Sequence, residues 1–478
     1  MEQQGVFHLI NIDHYHRVPQ HQPFKGLKLA TISLGCSKNR IDTEGILGSL
    51  CALGISLTGD YNNADLIMIN TCSFIESAQE ESINTLLQLR AETRETNPII
   101  FVAGCLVETI GTEIINKIPE INGAIGAHSY QHLEQFIAML LRNRRLAIKK
   151  RVGINYYEPA NRVLTASAHS VNIKIAEGCS NCCNYCLIPQ IRGPYRSREP
   201  QDIVNEITFF LANGAREISL IAQDTTAYGS DRQDLPDLAG LLKEILKLEQ
   251  NFWLRIMYTY PSRITNELIS LIAEEPRICN YLDVPIQHTS SRILHSMGRH
   301  YDQVELDHII SALRTRVPDI TLRTTCMVGY PGEGTTDFSE LILFIRKHLF
   351  EHLGAFIFSS QEGTTAACMN ASVPIRVIKK RYRQLMLEQQ QISYLNNQKR
   401  IGRIELLMID RSTNGKEHFY SGRSQKEAPE VDGGVILYST ASLKSGDLVK
   451  AKIIAAQPYA VLAVNLKTLN DFPLEEEN

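Results

Sequence analysis

The segment Glu177–Cys186, EGCSNCCNYC, sets Cys179, Cys183 and Cys186 at a C-x3-C-x2-C spacing. Three thiolates on one short loop suit three irons of a [4Fe–4S] cluster, which leaves the fourth iron open for a substrate or cofactor. The loop follows an apolar run, Val171–Ala176, that reads as a strand. Zinc is the competing use, because Cys182 also lets the loop parse as two C-x2-C pairs. Structural zinc sites separate such pairs by a spacer, and none stands between Cys182 and Cys183. Cys182 is therefore read as a spare thiol, and the loop as an iron–sulfur site.

What surrounds the loop sets the architecture. Further strand patterns follow at Glu217–Gln223, Trp253–Tyr258, Tyr281–Pro285, Leu322–Gly329 and Ala355–Phe358. Helical patterns separate them at Asp202–Ala212, Leu238–Leu248, Asn266–Glu274, Val304–Thr315 and Phe338–Lys347. Such a series predicts a (β/α) barrel, partial or complete, with its chemistry at the C-terminal ends of the strands. The cysteine loop then lies at the active edge. A polar-faced helix, Arg376–Arg400, leads out to short β-type runs broken by Asn414-Gly415, Gly433-Gly434 and Ser445-Gly446. These predict a small antiparallel barrel.

An earlier α/β unit carries a second cysteine set. Its strands are read at Leu27–Gly35, Asp65–Thr71, Pro98–Gly104 and Ile121–Gly126, and its helices at Asn39–Leu53, Phe74–Arg94, Thr109–Ile118 and Gln131–Leu146. Alternation of this kind predicts a parallel sheet. Cys36, Cys72 and Cys105 follow three successive strands, which puts three thiols on one sheet edge and favours a second cluster with an open iron. Cys51, Cys279, Cys326 and Cys368 have no comparable setting and are read as structural or incidental.

The chain holds 11 cysteines in 478 residues, an odd number spread over its length, which argues against a disulfide framework. A formal net charge of −3 supplies no global field for nucleic acid. No run approaches the apolar length of a membrane helix. The start lacks the pattern of a signal peptide, so a cytoplasmic protein without membrane contact is expected. The expected division is a polar extension over 1–26, the first cluster domain over 27–151, the barrel domain over 165–400, the small β-barrel over 401–467 and an acidic tail over 468–478. The basic residues Arg142, Arg144, Arg145, Lys149, Lys150 and Arg151 mark the first boundary as a solvated helix end.

The C-x3-C-x2-C loop after a barrel strand resembles the radical S-adenosylmethionine (SAM) superfamily. The ordered motifs SLGCSKNRIDTE, NTCSFI, AGC and EGCSNCCNYC resemble the methylthiotransferases within it, over about Leu27–Asn465. The resemblance implies a terminal TRAM module, OB-like in form, and two [4Fe–4S] clusters. One lies on Cys36, Cys72 and Cys105; the other, on Cys179, Cys183 and Cys186, binds SAM. It also implies that reduced SAM yields a 5′-deoxyadenosyl radical, which removes a hydrogen from the substrate, and that the first cluster supplies the methylthio sulfur. No side chain beyond the cluster ligands is implied as catalytic.

CLIPQIRGPYRSR, LIAQDTTAYGSD, YTYPSRIT, YLDVPIQH and EAPEVDG resemble the branch that modifies the β-carbon of an aspartate in small-subunit ribosomal protein twelve. That protein, free or in the assembling subunit, and an electron-donor protein are the implied partners. The alternative is a tRNA methylthiotransferase acting on a modified adenosine. The extension before Leu27 and the doubled Cys182-Cys183 depart from the family pattern.

Tyr185 is the aromatic residue the superfamily prefers before the last cysteine. Arg196 or Arg198, or their neighbour Arg192, suits the SAM carboxylate, with ordinary salt pairs as the other reading. Gln223, Asp224 and Thr225 close the second barrel strand and face the active rim. The turn Gly329–Glu333 can approach the nucleoside or serve loop geometry alone. Gln287 and His288 end the fourth strand, where His288 is read as structural. Arg376, Lys379, Lys380, Arg381 and Arg383 open the exit helix, read as a solvated face rather than an RNA contact. The last module carries nearly balanced charge, so no phosphate-binding face is expected.

Overall fold

Strands buried on both faces need helices on both sides of their sheet, and LIMINT, Leu66–Thr71, is buried at every position. The computed structural model describes residues 22–142, 145–149, 162–413 and 418–471. Residues 1–21, Arg144, Lys150, Arg151, Asn414-Gly415 and the tail from 472 lie outside the described residues. The first sheet is formed by β1 (Lys28–Ser33), β2 (Ser56–Leu57), β3 (Leu66–Thr71), β4 (Ile99–Gly104), β5 (Gly123–Gly126) and β6 (Leu146–Ile148). All pairs are parallel, in the order β2-β1-β3-β4-β5-β6. Leu29, Met68 and Phe101 pack into one core, and Ile67, Ile69 and Val102 into the other. β1, β3 and β4 are neighbours, and Cys36, Cys72 and Cys105 stand just past their C-terminal ends.

Two local expectations differ from the structure. The helix expected over Thr109–Ile118 is two short ones, Cys105–Ile110 and Ile114–Lys117, because Gly111 turns the chain at φ +81°. The helix expected to run to Leu146 stops at Leu140, and Leu146–Ile148 instead adds an edge strand beside β5.

The second sheet is also wholly parallel. Its strands are β7 (Ser170–Lys174), β10 (Glu217–Ile221), β11 (Trp253–Ile256), β12 (Ile278–Asp283), β13 (Thr321–Val328) and β14 (His352–Ile357). They pair in sequence order, and β14 does not close onto β7, so the barrel is partial. Two short strands, β8 (Ala176–Glu177) and β9 (Arg196–Ser197), pair antiparallel and clamp the two ends of the cysteine loop. Helices at Ile188–Arg192 and Ser291–Ser296 are short insertions that the helix-period reading did not show.

The last module is a closed five-stranded barrel of β15 (Ile404–Ser412), β16 (Phe419–Arg423), β17 (Gly434–Tyr438), β18 (Leu448–Ala456) and β19 (Ala460–Asn465). It is not purely antiparallel as expected: β17 and β19 pair parallel, which is how the barrel closes. Among the described residues no helix is long and apolar enough to cross a membrane.

This module is anchored to the partial barrel through buried charge. Glu217 accepts from Arg255 at 2.8 Å and from Arg423 of β16 at 2.8 Å. Its segment Glu427–Gly433 inserts against β12–β14: Asp432 accepts from the Tyr281 hydroxyl at 2.7 Å and from Arg323 at 2.6 Å. Burial alone would raise the Glu217 carboxyl, but Arg423 and Arg255 outweigh it and hold it at about 2. Its stabilisation is complete above the ordinary carboxyl value of 4.5 and is lost as pH falls from there through about 2. Glu217→Gln leaves the buried Arg255 without its carboxylate and Arg423 with Asp410 alone. A loss of roughly 3–5 kcal/mol in urea unfolding at neutral pH is expected, with a smaller loss near pH 2.

Candidate active site

Each cysteine set sits where its backbone can turn sharply. Gly35, at φ +88°, has no room for a side chain, since a Cβ there would lie 2.9 Å from the Cys72 sulfur. Cys36 precedes the helix Ser37–Ala52 as its N-cap residue, and Cys105 opens the helix Cys105–Ile110. The set is electrostatically close: charge on Cys36 and Cys72 raises the Cys105 thiol, and charge on Cys36 raises that of Cys72. Burial is the main cause at Cys105, pushing its thiol to about 11. Cys36, the exposed member, behaves oppositely. Desolvation of its sulfur raises the thiol, but Lys38, the Asn39 amide and Arg192 together bring it below the ordinary value.

The second loop is fixed along its length. Gly178, at φ +82°, passes so near Pro194 that a Cβ would meet its carbonyl at 2.1 Å. The Cys179 amide donates to the Gly193 carbonyl, and the Cys186 amide to that of Cys183, each at 3.1 Å. Asn184 donates from its backbone to Met297 at 2.9 Å and from its side chain to Ser296 at 2.9 Å. Cys179, Cys183 and Cys186 line a cavity of about 500 Å³ together with Pro189, Gly363 and Thr364. Burial raises Cys179 to about 11 and Cys186 to about 12, so these thiols need a cation to ionise. Among the described residues no three His, Cys, Asp or Glu side chains converge on a single ion. Thiols set apart around a roomy cavity fit a cluster better than zinc. Cys182 is exposed at the rim.

The other expected residues fall into different roles. Tyr185 packs edge-on to Tyr330, with ring centroids 6.5 Å apart, behind the loop. Gln223 donates to Glu177 at 2.8 Å, and its own carbonyl oxygen is buried without a partner, an acceptor left over for a bound group. Asp224 accepts from Asn181 of the loop at 2.8 Å and from Arg263 at 2.5 Å. Arg196 folds onto the carbonyls of Pro194 and Arg192, at 2.9 and 3.1 Å. Arg198 is buried against Glu206 at 2.6 Å and the Lys174 carbonyl at 2.7 Å. Thr225 donates to Met257. Glu333 of the glycine turn accepts from Arg381, which is thus buried, while Arg376, Lys379, Lys380 and Arg383 are exposed. Gln287 takes φ +64° and bridges to β13. His288 is fully buried; its Nδ1 accepts from the Thr289 and Ser290 amides, and burial lowers it to about 4, so it stays neutral.

A five-residue helix, Ile188–Arg192, connects the two cysteine sets. It begins just after Cys186, and Leu187 and Ile191 pack on Cys105. Arg192 donates to the Cys105 sulfur at 3.3 Å and to Asp42 at 2.6 Å. Asp42 also receives Lys174 at 2.5 Å, and Lys174 reaches Glu177 at 2.7 Å. Arg299 donates to the Cys183 sulfur at 3.7 Å and to the Tyr301 hydroxyl at 2.6 Å. Sequence reasoning missed Asp42, Lys174, Arg263 and Arg299. Lys174 left one available signal, a lysine flanked by Ile173 and Ile175 in a strand run.

Partial barrel, cysteine loop and β-barrel together define a radical SAM enzyme. Residues 173–345 match the radical SAM superfamily, residues 401–465 the TRAM domain, and residues 28–126 the uncharacterized protein family UPF0004. The structure of the radical SAM methyltransferase TsrM from Kitasatospora setae is similar in fold, with a TM-score of 0.54 at 14% identity, covering 72% of this chain and 74% of that one. Curated relatives go further. The ribosomal protein uS12 methylthiotransferase RimO of Trichlorobacter lovleyi is 39% identical over 440 residues, 91% of this chain and 97% of that protein. Its counterpart in Clostridium acetobutylicum is 40% identical over 443 residues, 92% and 98% of the two chains. The chain belongs to the RimO family of radical SAM methylthiotransferases.

The buried joint between the cysteine sets gives a stability prediction. Asp42→Ala strips two cations of a carboxylate and is expected to cost roughly 3–5 kcal/mol. Arg232→Ala, which breaks only exposed pairs with Glu199 and Asp234, is expected to leave the urea midpoint in place.

Proposed function

We propose that this enzyme adds a methylthio group to the β-carbon of an aspartate in ribosomal protein uS12, using two [4Fe–4S] clusters. The observation that carries the reading is the helix Ile188–Arg192, which follows Cys186 and packs on Cys105. It holds the two cysteine sets side by side, as a reaction needing a radical and a sulfur at one carbon requires. Cys179, Cys183 and Cys186 would hold the SAM-binding cluster, and Cys36, Cys72 and Cys105 the second.

With SAM bound, the cluster on Cys179, Cys183 and Cys186 would supply the carbon radical that an unactivated C–H bond demands; no side chain is basic enough to remove that hydrogen. This chain's residues bind and orient. Gln223 offers its unpaired carbonyl oxygen to SAM. Asp224 holds the cysteine loop through Asn181, and Tyr185 backs it. Arg196 and Arg198 are spent on carbonyls and on Glu206, so they position the loop's exit strand rather than grip a carboxylate. An electron-donor protein and uS12, free or in the assembling subunit, are the partners of this reading, and the cytoplasm is its setting.

The test is anaerobic reconstitution with iron, sulfide, reductant and SAM, offered uS12 and unmodified tRNA side by side, with both products read by mass spectrometry. The expected product is uS12 heavier by one methylthio group at an aspartate. Methylthioadenosine in tRNA with unmodified uS12 would contradict the proposal. Cys72→Ala is expected to keep SAM cleavage and lose about half the iron and all of the methylthio product.

A further inference from the structure

Almost every cation around the two cysteine sets has a fixed partner. Lys174 and Arg192 share Asp42, Arg198 takes Glu206, Arg263 takes Asp224, Arg40 takes Glu430, and Arg299 bonds Tyr301 and the Pro285 carbonyl. Lys38 differs. Among the described residues it makes no ion pair with a carboxylate; its ammonium lies over the Tyr258 ring, 3.0 Å from the centroid. It stands two residues past Cys36, on the first turn of the helix Ser37–Ala52.

The ring beneath it is held deliberately. Tyr258 follows β11 in a left-handed conformation, φ +61°, which is costly for a bulky residue and persists only where the surroundings enforce it. Its amide donates to Asp283 at 3.1 Å, its carbonyl accepts from Thr225 at 2.9 Å, and its hydroxyl bonds Ser37 at 3.0 Å. Strain is thus kept at the seam where the barrel domain meets the Cys36 helix. An ammonium parked on an aromatic face is attracted but not neutralised; among the described residues its charge reaches the buried Asp283 carboxylate without forming an ion pair, so an incoming carboxylate gains a charge-assisted pair without breaking one.

We propose that Lys38, seated on Tyr258, receives the carboxylate of the target aspartate and selects an acidic side chain over a neutral base. This rests on the aspartate reading above. In that substrate the β-carbon is bonded directly to the carboxyl carbon, so bringing it to the Cys36, Cys72 and Cys105 set also brings the carboxylate beside Lys38. Lys38 is a positioning residue: it orients the carbon and takes no proton.

The experiment compares wild type, Lys38→Met, Lys38→Gln and Lys38→Arg, each reconstituted, on uS12 and on uS12 with the target aspartate changed to asparagine. Lys38→Met is expected to raise KM for uS12 by about ten- to a hundredfold. Iron content and uS12-independent SAM cleavage should match wild type, and Lys38→Arg should recover part of the KM. The asparagine substrate should bind wild type weakly, with no further loss in Lys38→Met. An unchanged KM overturns the proposal, as does an equal loss on both substrates. Loss of iron in both neutral variants also overturns it, because Lys38 would then serve the cysteine set. A wild-type enzyme that leaves uS12 unmodified refutes the proposed function itself, and this proposal with it.

Discussion

Asp42 is the carboxylate on which the arrangement of domains depends. It projects from the helix that starts beside Cys36 and receives Lys174 of β7 and Arg192 of the segment after Cys186. Desolvating these charges is costly, and such a network contributes little net stability compared with an apolar contact. Its value is specificity: only one docking of the N-terminal domain on the barrel satisfies all the buried partners. The same docking sets Cys105 against Leu187 and Ile191. Register between the two cysteine sets is thus held by charge pairing together with the apolar contact of Ile41 on Ile221, Trp253 and Met257, while the bulk of the stability comes from the apolar cores of each domain.

The third module completes this frame rather than offering a separate face. Glu217 meets Arg423, Asp432 meets Tyr281 and Arg323, and Glu430 meets Arg40 of the N-terminal helix. The inserted segment Glu427–Gly433 therefore touches both other domains. Its charged residues are committed to these contacts, which agrees with the near balance of charge in the module.

Most of the fold was legible because period and placement agreed. Apart from the short edge strands β2 and β6, the strands of both parallel sheets appear in the sequence as apolar runs of strand length, and the helix Asn266–Glu274 has the bounds its pattern predicts. The cysteines were legible because each followed such a run. What escaped reading was set by tertiary contacts. Ile188–Arg192 is too short to show a helical period, and β6 is a three-residue edge strand that exists only by pairing with β5. Burial of Arg192, Arg198 and Arg381 depends on carboxylates distant in sequence, so a string of arginines could not reveal which were free. Lys38 was hidden for the opposite reason: an unpaired surface lysine looks ordinary until the Tyr258 ring is placed beneath it.

In the proposed function, two iron–sulfur sites lie to either side of the helix Ile188–Arg192. A five-residue helix spans on the order of 10 Å, so two reduced clusters held there must interact magnetically. Electron paramagnetic resonance of the fully iron-loaded, reduced protein tests this directly. Two spin-coupled centres are expected, with the coupling lost in Cys36→Ala, which keeps one. A single centre in the wild-type protein, or two centres with no measurable coupling, would contradict it.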